Sequence, residues 1–111
     1  NIDALLALEL YQIECFSQFL DQLKSKKSPN GSSLLDETTV LFGSGMGNGN
    51  AHTNNNLPIL MAGRGYQTGS HVALREAKNK RVPLSNLYLS ILNQLGVEDE
   101  TFAHSTGTLT L

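Results

Sequence analysis

At 111 residues the chain is long enough for one modest domain. Eight Lys and Arg against ten Asp and Glu give a formal net charge of -2, which excludes a strongly basic nucleic-acid binder. The absence of tryptophan argues against base stacking, and a single cysteine, Cys15, excludes an internal disulfide framework and a cysteine-rich zinc site. No apolar stretch approaches the roughly 20 residues that a bilayer span requires. The sequence opens on Asn1-Ile2-Asp3, without an initiator methionine and with a helical pattern already running. We therefore read residues 1–111 as a single C-terminal fragment of a larger α/β domain, in which a missing signal peptide carries no information about location.

The first predicted element is one long helix over residues 2–26. Ile2, Leu5, Leu6, Ile13, Phe16, Leu20 and Leu23 recur at three- and four-residue intervals, and no Pro or Gly interrupts them. Glu9 and Gln12 fall inside the apolar arc, where a polar group needs a partner or a polar cleft. Ser28-Pro29-Asn30-Gly31 stops the helix. Leu34-Leu35-Asp36 reads as a short turn before Thr38 to Phe42, a β-branched and apolar run with the character of a buried parallel strand. Leu57 to Ala62 is predicted as a second buried strand, with Pro58 tolerated near its start. Ser70 to Leu74 is read as a short third strand at a sheet edge, and Glu76 to Arg81 as a charged, solvated loop. Pro83 opens a second helix whose buried stripe is Leu84, Leu87, Tyr88, Ile91, Leu92 and Leu95, with Gly96 as its C-terminal cap. The tail from Thr101 to Leu111 carries turn chemistry at Ser105-Thr106-Gly107 and no clear element. Strands alternating with helices give an α/β fold class, with most of the sheet expected outside these residues.

Between the two confident strands lies the segment Gly43 to Asn56, with four glycines, five asparagines, one serine and one histidine. In open α/β sheets, ligands bind beyond the carboxyl ends of strands, and glycines let backbone N–H groups approach an anion. A P-loop is excluded because no lysine occurs between Lys27 and Lys78. The glycines alternate singly and lead toward a strand, which excludes the dinucleotide fingerprint. No Asp or Glu occurs between Glu37 and Glu76, whereas Arg64, Arg75, His52 and His71 do. Such a stretch suits phosphate, sulfate or carboxylate. His52 is the candidate metal ligand, through a neutral ring nitrogen, with co-ligands expected upstream of Asn1. Ser44, Asn48 and Asn50 are the candidates for orienting an anion, and Arg64 for offsetting its charge. The plainer readings are local turns for the asparagines, surface positions for His71 and His104, and helix packing for Cys15.

Taken in order, Leu34-Leu35-Asp36, Gly43-Ser44-Gly45-Met46 with Gly49-Asn50 and His52, Leu57 to Gly63, Pro83-Leu84-Ser85-Asn86-Leu87 leading to Leu95-Gly96-Val97, and Ser105-Thr106-Gly107 resemble the C-terminal third of a bacterial protein family named for a His-x-x-Ser-His-His motif. The resemblance runs from about Tyr11 to the end, and the naming motif would lie upstream of Asn1. That family is similar to the alkaline phosphatase and sulfatase superfamily. The resemblance implies a partial alkaline-phosphatase-like sheet with flanking helices, and an exported protein, periplasmic or extracellular. It implies a divalent metal such as zinc and a small anionic substrate. The superfamily's metal-binding pair after the strand would fall near Gly45 and Met46, which cannot ligate a hard metal, so that His52 stands as the downstream histidine. The leading expectation is a relative of metal-dependent phosphate or sulfate ester hydrolases. Its rivals are a non-catalytic binding module for an anionic glycan or surface partner on the same fold, and a purely structural connection.

Overall fold

A computed structural model describes residues 2–74 and 81–111. They fall into two compact units, Asn1–Thr68 and Gly69–Leu111. At the coarse level the chain is mixed helix and strand, as its pattern predicts. No helix among the described residues is long and apolar enough to cross a membrane.

The first unit opens on α1 (Ile2–Ser25), with Asp3 in its first turn and Lys24 in its last, each of the sign that the helix dipole favours. None of its side chains is buried. Phe16, Leu20 and Leu23 are half-buried, and the Phe16 ring stacks on Phe42 with centroids 4.8 Å apart. The apolar arc expected along the whole helix therefore packs within this unit only in its second half. Ile2, Leu5, Leu6 and Leu10 stand exposed, and so do Glu9 and Gln12.

A turn leads into the short helix α2 (Leu34–Glu37). Ser33 caps it reciprocally: its Oγ accepts from Asp36 N, and the Asp36 carboxylate accepts from Ser33 N, both at 3.2 Å. Two orphan amides are thereby satisfied. The chain then enters β1 (Val40–Gly43) and, after a long loop, β2 (Ile59–Ala62). Pro58, which has no N–H to give to a ladder, stays just outside β2.

The expected buried parallel arrangement is corrected here. β1 and β2 pair antiparallel, with Val40 opposite Ala62 and Gly43 opposite Ile59. A parallel pair needs a crossover, usually a helix, whereas the intervening residues make only turns and send the chain straight back. Of this ribbon only Val40 is buried.

Beyond β2 the chain folds over the beginning of β1. Leu35 O accepts from both Thr38 N (3.3 Å) and Arg64 N (3.2 Å), and the Tyr66 hydroxyl lies 2.9 Å from Thr39 Oγ1. Gly63 sits in the left-handed region at φ 89°, and a Cβ there would stand 2.0 Å from Thr38 O. Only glycine fits this crossing.

In the second unit, the strand expected over residues 70–74 is absent: these residues are exposed and without regular structure. An extended segment without a neighbouring strand gains no ladder bonds. The loop expected at Glu76 to Arg81 lies outside the described residues except for Arg81. α3 (Leu84–Gln94) begins one residue after Pro83, which serves as its N-cap rather than lying in its first turn. Its buried residues are Asn86, Leu87, Leu89 and Ser90; of the predicted stripe, Leu87 is buried, Leu84, Ile91 and Leu92 are half-buried, and Tyr88 and Leu95 are exposed. The C-terminal tail accounts for the two buried polar residues. Asn86 donates to Thr106 Oγ1 (3.1 Å) and accepts from Thr106 N (2.8 Å), while Ser90 Oγ accepts from Leu109 N (2.6 Å). Buried polar groups survive when each is paired, so the tail covers the polar side of the helix. Tyr88 packs edge-on against Phe102, with centroids 6.2 Å apart.

Candidate functional site

The loop between β1 and β2 leaves the carboxyl end of β1. At its base Ser44 N donates to Pro58 O at 3.2 Å. Gly47 N then donates to Thr53 O (2.9 Å) and Thr53 N to Asn48 O (3.3 Å), closing an inner antiparallel bridge. The tip, Gly49-Asn50-Ala51-His52, is a four-residue hairpin connection. Gly47 passes so close beneath the returning strand of the loop that a Cβ would lie 1.8 Å from Asn55 O. His52 occupies the left-handed region at φ 50°, which a histidine tolerates better than most residues.

The loop spends part of its polar groups on itself. Asn48 Oδ1 accepts from Asn50 N and Ala51 N, both at 3.0 Å, and Ser44 Oγ accepts from Met46 N at 3.2 Å. Fewer free amides therefore remain for an anion than the composition implies. Ser44, Asn48, Asn50 and His52 are all exposed on this one loop. The antiparallel register places Arg64 at the other end of the ribbon, roughly 10 Å along the strands from Gly43. The loop residues are thus brought together, and Arg64 is not brought to them. His71 and His104 are exposed in the second unit.

Two features escaped the sequence reading. Beside the carboxyl end of β1, an open groove of about 580 Å³ is lined by Tyr11, Cys15, Phe16, Phe19, Phe42 and Ser44. Tyr11, Cys15 and Phe19 follow one another at four-residue spacing, which puts them on one helix face and was the available signal. A hydrogen bond with Cys15 holds the Tyr11 phenol above its ordinary pKa. The second feature is the turn before α2. Ser28 Oγ (2.7 Å), Asn30 Nδ2 (2.6 Å) and Ser32 Oγ all donate to Glu37 Oε1. These bonds, that of Ser32 foremost, hold the Glu37 carboxyl below the usual glutamate range.

Among the described residues there is no group of three or more His, Cys, Asp or Glu side chains able to hold a metal ion. His52 stands as a lone imidazole in a loop without a carboxylate. The described residues thus do not by themselves fit the divalent ion that the family resemblance implies. No family model matches the chain, and neither a curated protein nor a solved structure matches it.

Proposed function

We propose that this chain is part of an alkaline-phosphatase-like protein that handles phosphate or sulfate esters, exported from the cytoplasm, and that the Gly43 to Asn56 loop is its anion-facing element. The observation that carries the reading is the placement of His52. Its ring is exposed at the tip of a hairpin that projects from the carboxyl end of a strand, in a stretch without any acid. There the imidazole can donate to an oxyanion without competition from a neighbouring carboxylate. Ser44 and Asn50 lie exposed on the same loop as further donors, whereas the Oδ1 of Asn48 is committed to the turn. Further ligands would have to come from elsewhere in the intact protein, and no chemical step is assigned to a metal.

The lone imidazole, with no ligand cluster among the described residues, favours a second reading: a non-catalytic module that binds an anionic glycan or surface partner. One experiment separates the two. The intact natural polypeptide and its His52→Ala variant are assayed for hydrolysis of aryl phosphate and sulfate esters and for binding of inorganic phosphate and sulfated oligosaccharides, with and without chelator. Hydrolysis lost on chelation and in the variant supports the ester-hydrolase reading. Binding that survives chelation without turnover, but fails in the variant, supports the module. Behaviour identical to wild type in His52→Ala overturns both.

A further inference from the structure

Asparagine followed by glycine occurs twice in the chain, at Asn30-Gly31 and Asn48-Gly49. Glycine has no side chain to screen its amide nitrogen, so that nitrogen can reach the side-chain carbonyl carbon of the asparagine before it. Both asparagines are exposed, and solvent access does not distinguish them. Their hydrogen bonds do.

At the first pair, both reacting ends are tied. Gly31 N donates to Ser28 O (2.9 Å), and Asn30 Nδ2 donates to Glu37 Oε1 (2.6 Å). Asn30 Oδ1 accepts from one backbone donor, Ser32 N (2.9 Å), since the Ser28 and Ser32 hydroxyl protons are given to Glu37. At the second pair, neither Asn48 Nδ2 nor Gly49 N has a partner among the described residues, and a Cβ on Gly49 would meet nothing within 4 Å. Meanwhile Asn48 Oδ1 is aimed at two backbone donors, Asn50 N and Ala51 N, each 3.0 Å away. That is the geometry of an oxyanion hole: donors fixed at hydrogen-bond distance from an oxygen that becomes negative when its carbon is attacked.

We infer that Asn48 is a self-modification site, deamidating through a cyclic imide with the loop's own backbone as catalyst. The Gly49 nitrogen forms a bond to Asn48 Cγ, and the negative charge on Oδ1 is taken up by the Asn50 and Ala51 amides. The Cγ–Nδ2 bond then breaks, and Nδ2 leaves as ammonia with the proton lost from Gly49 N. Water adds to either carbonyl of the five-membered ring and opens it, giving aspartate or isoaspartate at position 48. One water is consumed, one ammonia is released, and no electrons are transferred. The product places a carboxylate at the mouth of a tip that otherwise has none between Glu37 and Glu76, four positions from His52. The modified loop repels the anions that the unmodified loop suits.

The test is peptide mapping by mass spectrometry of the intact protein, incubated folded and urea-unfolded at mildly alkaline pH. Folded protein is expected to gain the deamidation mass at Asn48 at least as fast as unfolded protein does. Asn30 should react about ten-fold slower folded than unfolded, equivalent to a barrier raised by roughly 1.4 kcal/mol. Gly49→Ala, which shields the nitrogen, should slow reaction at position 48 by a similar factor. Equal rates at the two asparagines in the folded protein, slower reaction of Asn48 folded than unfolded, or an unaltered rate in Gly49→Ala would each overturn the inference.

Discussion

The two ends of the β1–β2 ribbon are made of similar residues and do opposite things. At the end where Val40 faces Ala62, the glycine-containing turn after β2 is folded over α2 and the beginning of β1, with Leu35 O shared by two amides and Tyr66 buried against Thr39. The Ser-Pro-Asn-Gly-Ser turn leading into α2 is closed in turn on the Glu37 carboxylate. At the end where Gly43 faces Ile59, Asn48 of an Asn-Gly loop bonds within the loop, and the polar tip is left in solvent. What separates a turn that holds a fold from a loop that presents side chains is a nearby group to collect the donors. Glu37 plays that part for one end, whereas the loop at the other end has no acid of its own.

Gly63→Ala has the largest expected effect. The substitution forces a side chain into a left-handed residue and against Thr38 O, and should cost about 3 kcal/mol or more, read as a lowered urea midpoint. Gly47→Ala makes as close a backbone clash, with Asn55 O, but in an exposed loop that can yield. A loss of about 1–2 kcal/mol is expected, with hydrogen-exchange protection falling at Thr53 N while the Leu35 bonds stay protected. Glu37→Gln sharpens the closed end through pH. The folded pKa of Glu37 is depressed, so its contribution is present above the ordinary glutamate range and vanishes as pH falls through the depressed value. Thermal melts should show the variant less stable than wild type at neutral pH, with the difference closing in acid. The smallest effect belongs to the open end: His52→Ala should alter stability by less than about 0.5 kcal/mol in the same unfolding assay. A larger change would mean that the imidazole supports the fold.

Local chemistry was legible in the sequence, and pairing was not. The uninterrupted run from Ile2 located α1, and the apolar runs around Val40 and Ile59 located both strands to within two residues. Strand direction was missed because Val40-Leu41-Phe42 is apolar on both sides, a pattern shared by buried parallel strands and by a ribbon half covered by Phe16. The buried face of α3 was only partly legible, for a different reason. Asn86 and Ser90 look solvent-facing in a helical stripe, and only the returning tail makes them the inside. Position 52 was correctly placed in a loop after a strand, but composition suggested more free backbone donors than the hairpin leaves. Arg64 looked close because it is twelve positions along the chain, and antiparallel pairing sends it away.

The register of the ribbon gives the projecting hairpin an unusual independence. Gly43 meets Ile59 whatever is strung between them, and the bond from Ser44 N to Pro58 O seals that junction like a clasp. The tip can therefore be lengthened, shortened or exchanged for a foreign peptide without displacing a single pair on the strands behind it. The sequence at this edge is free to diverge as a cassette while the scaffold that carries it stands still.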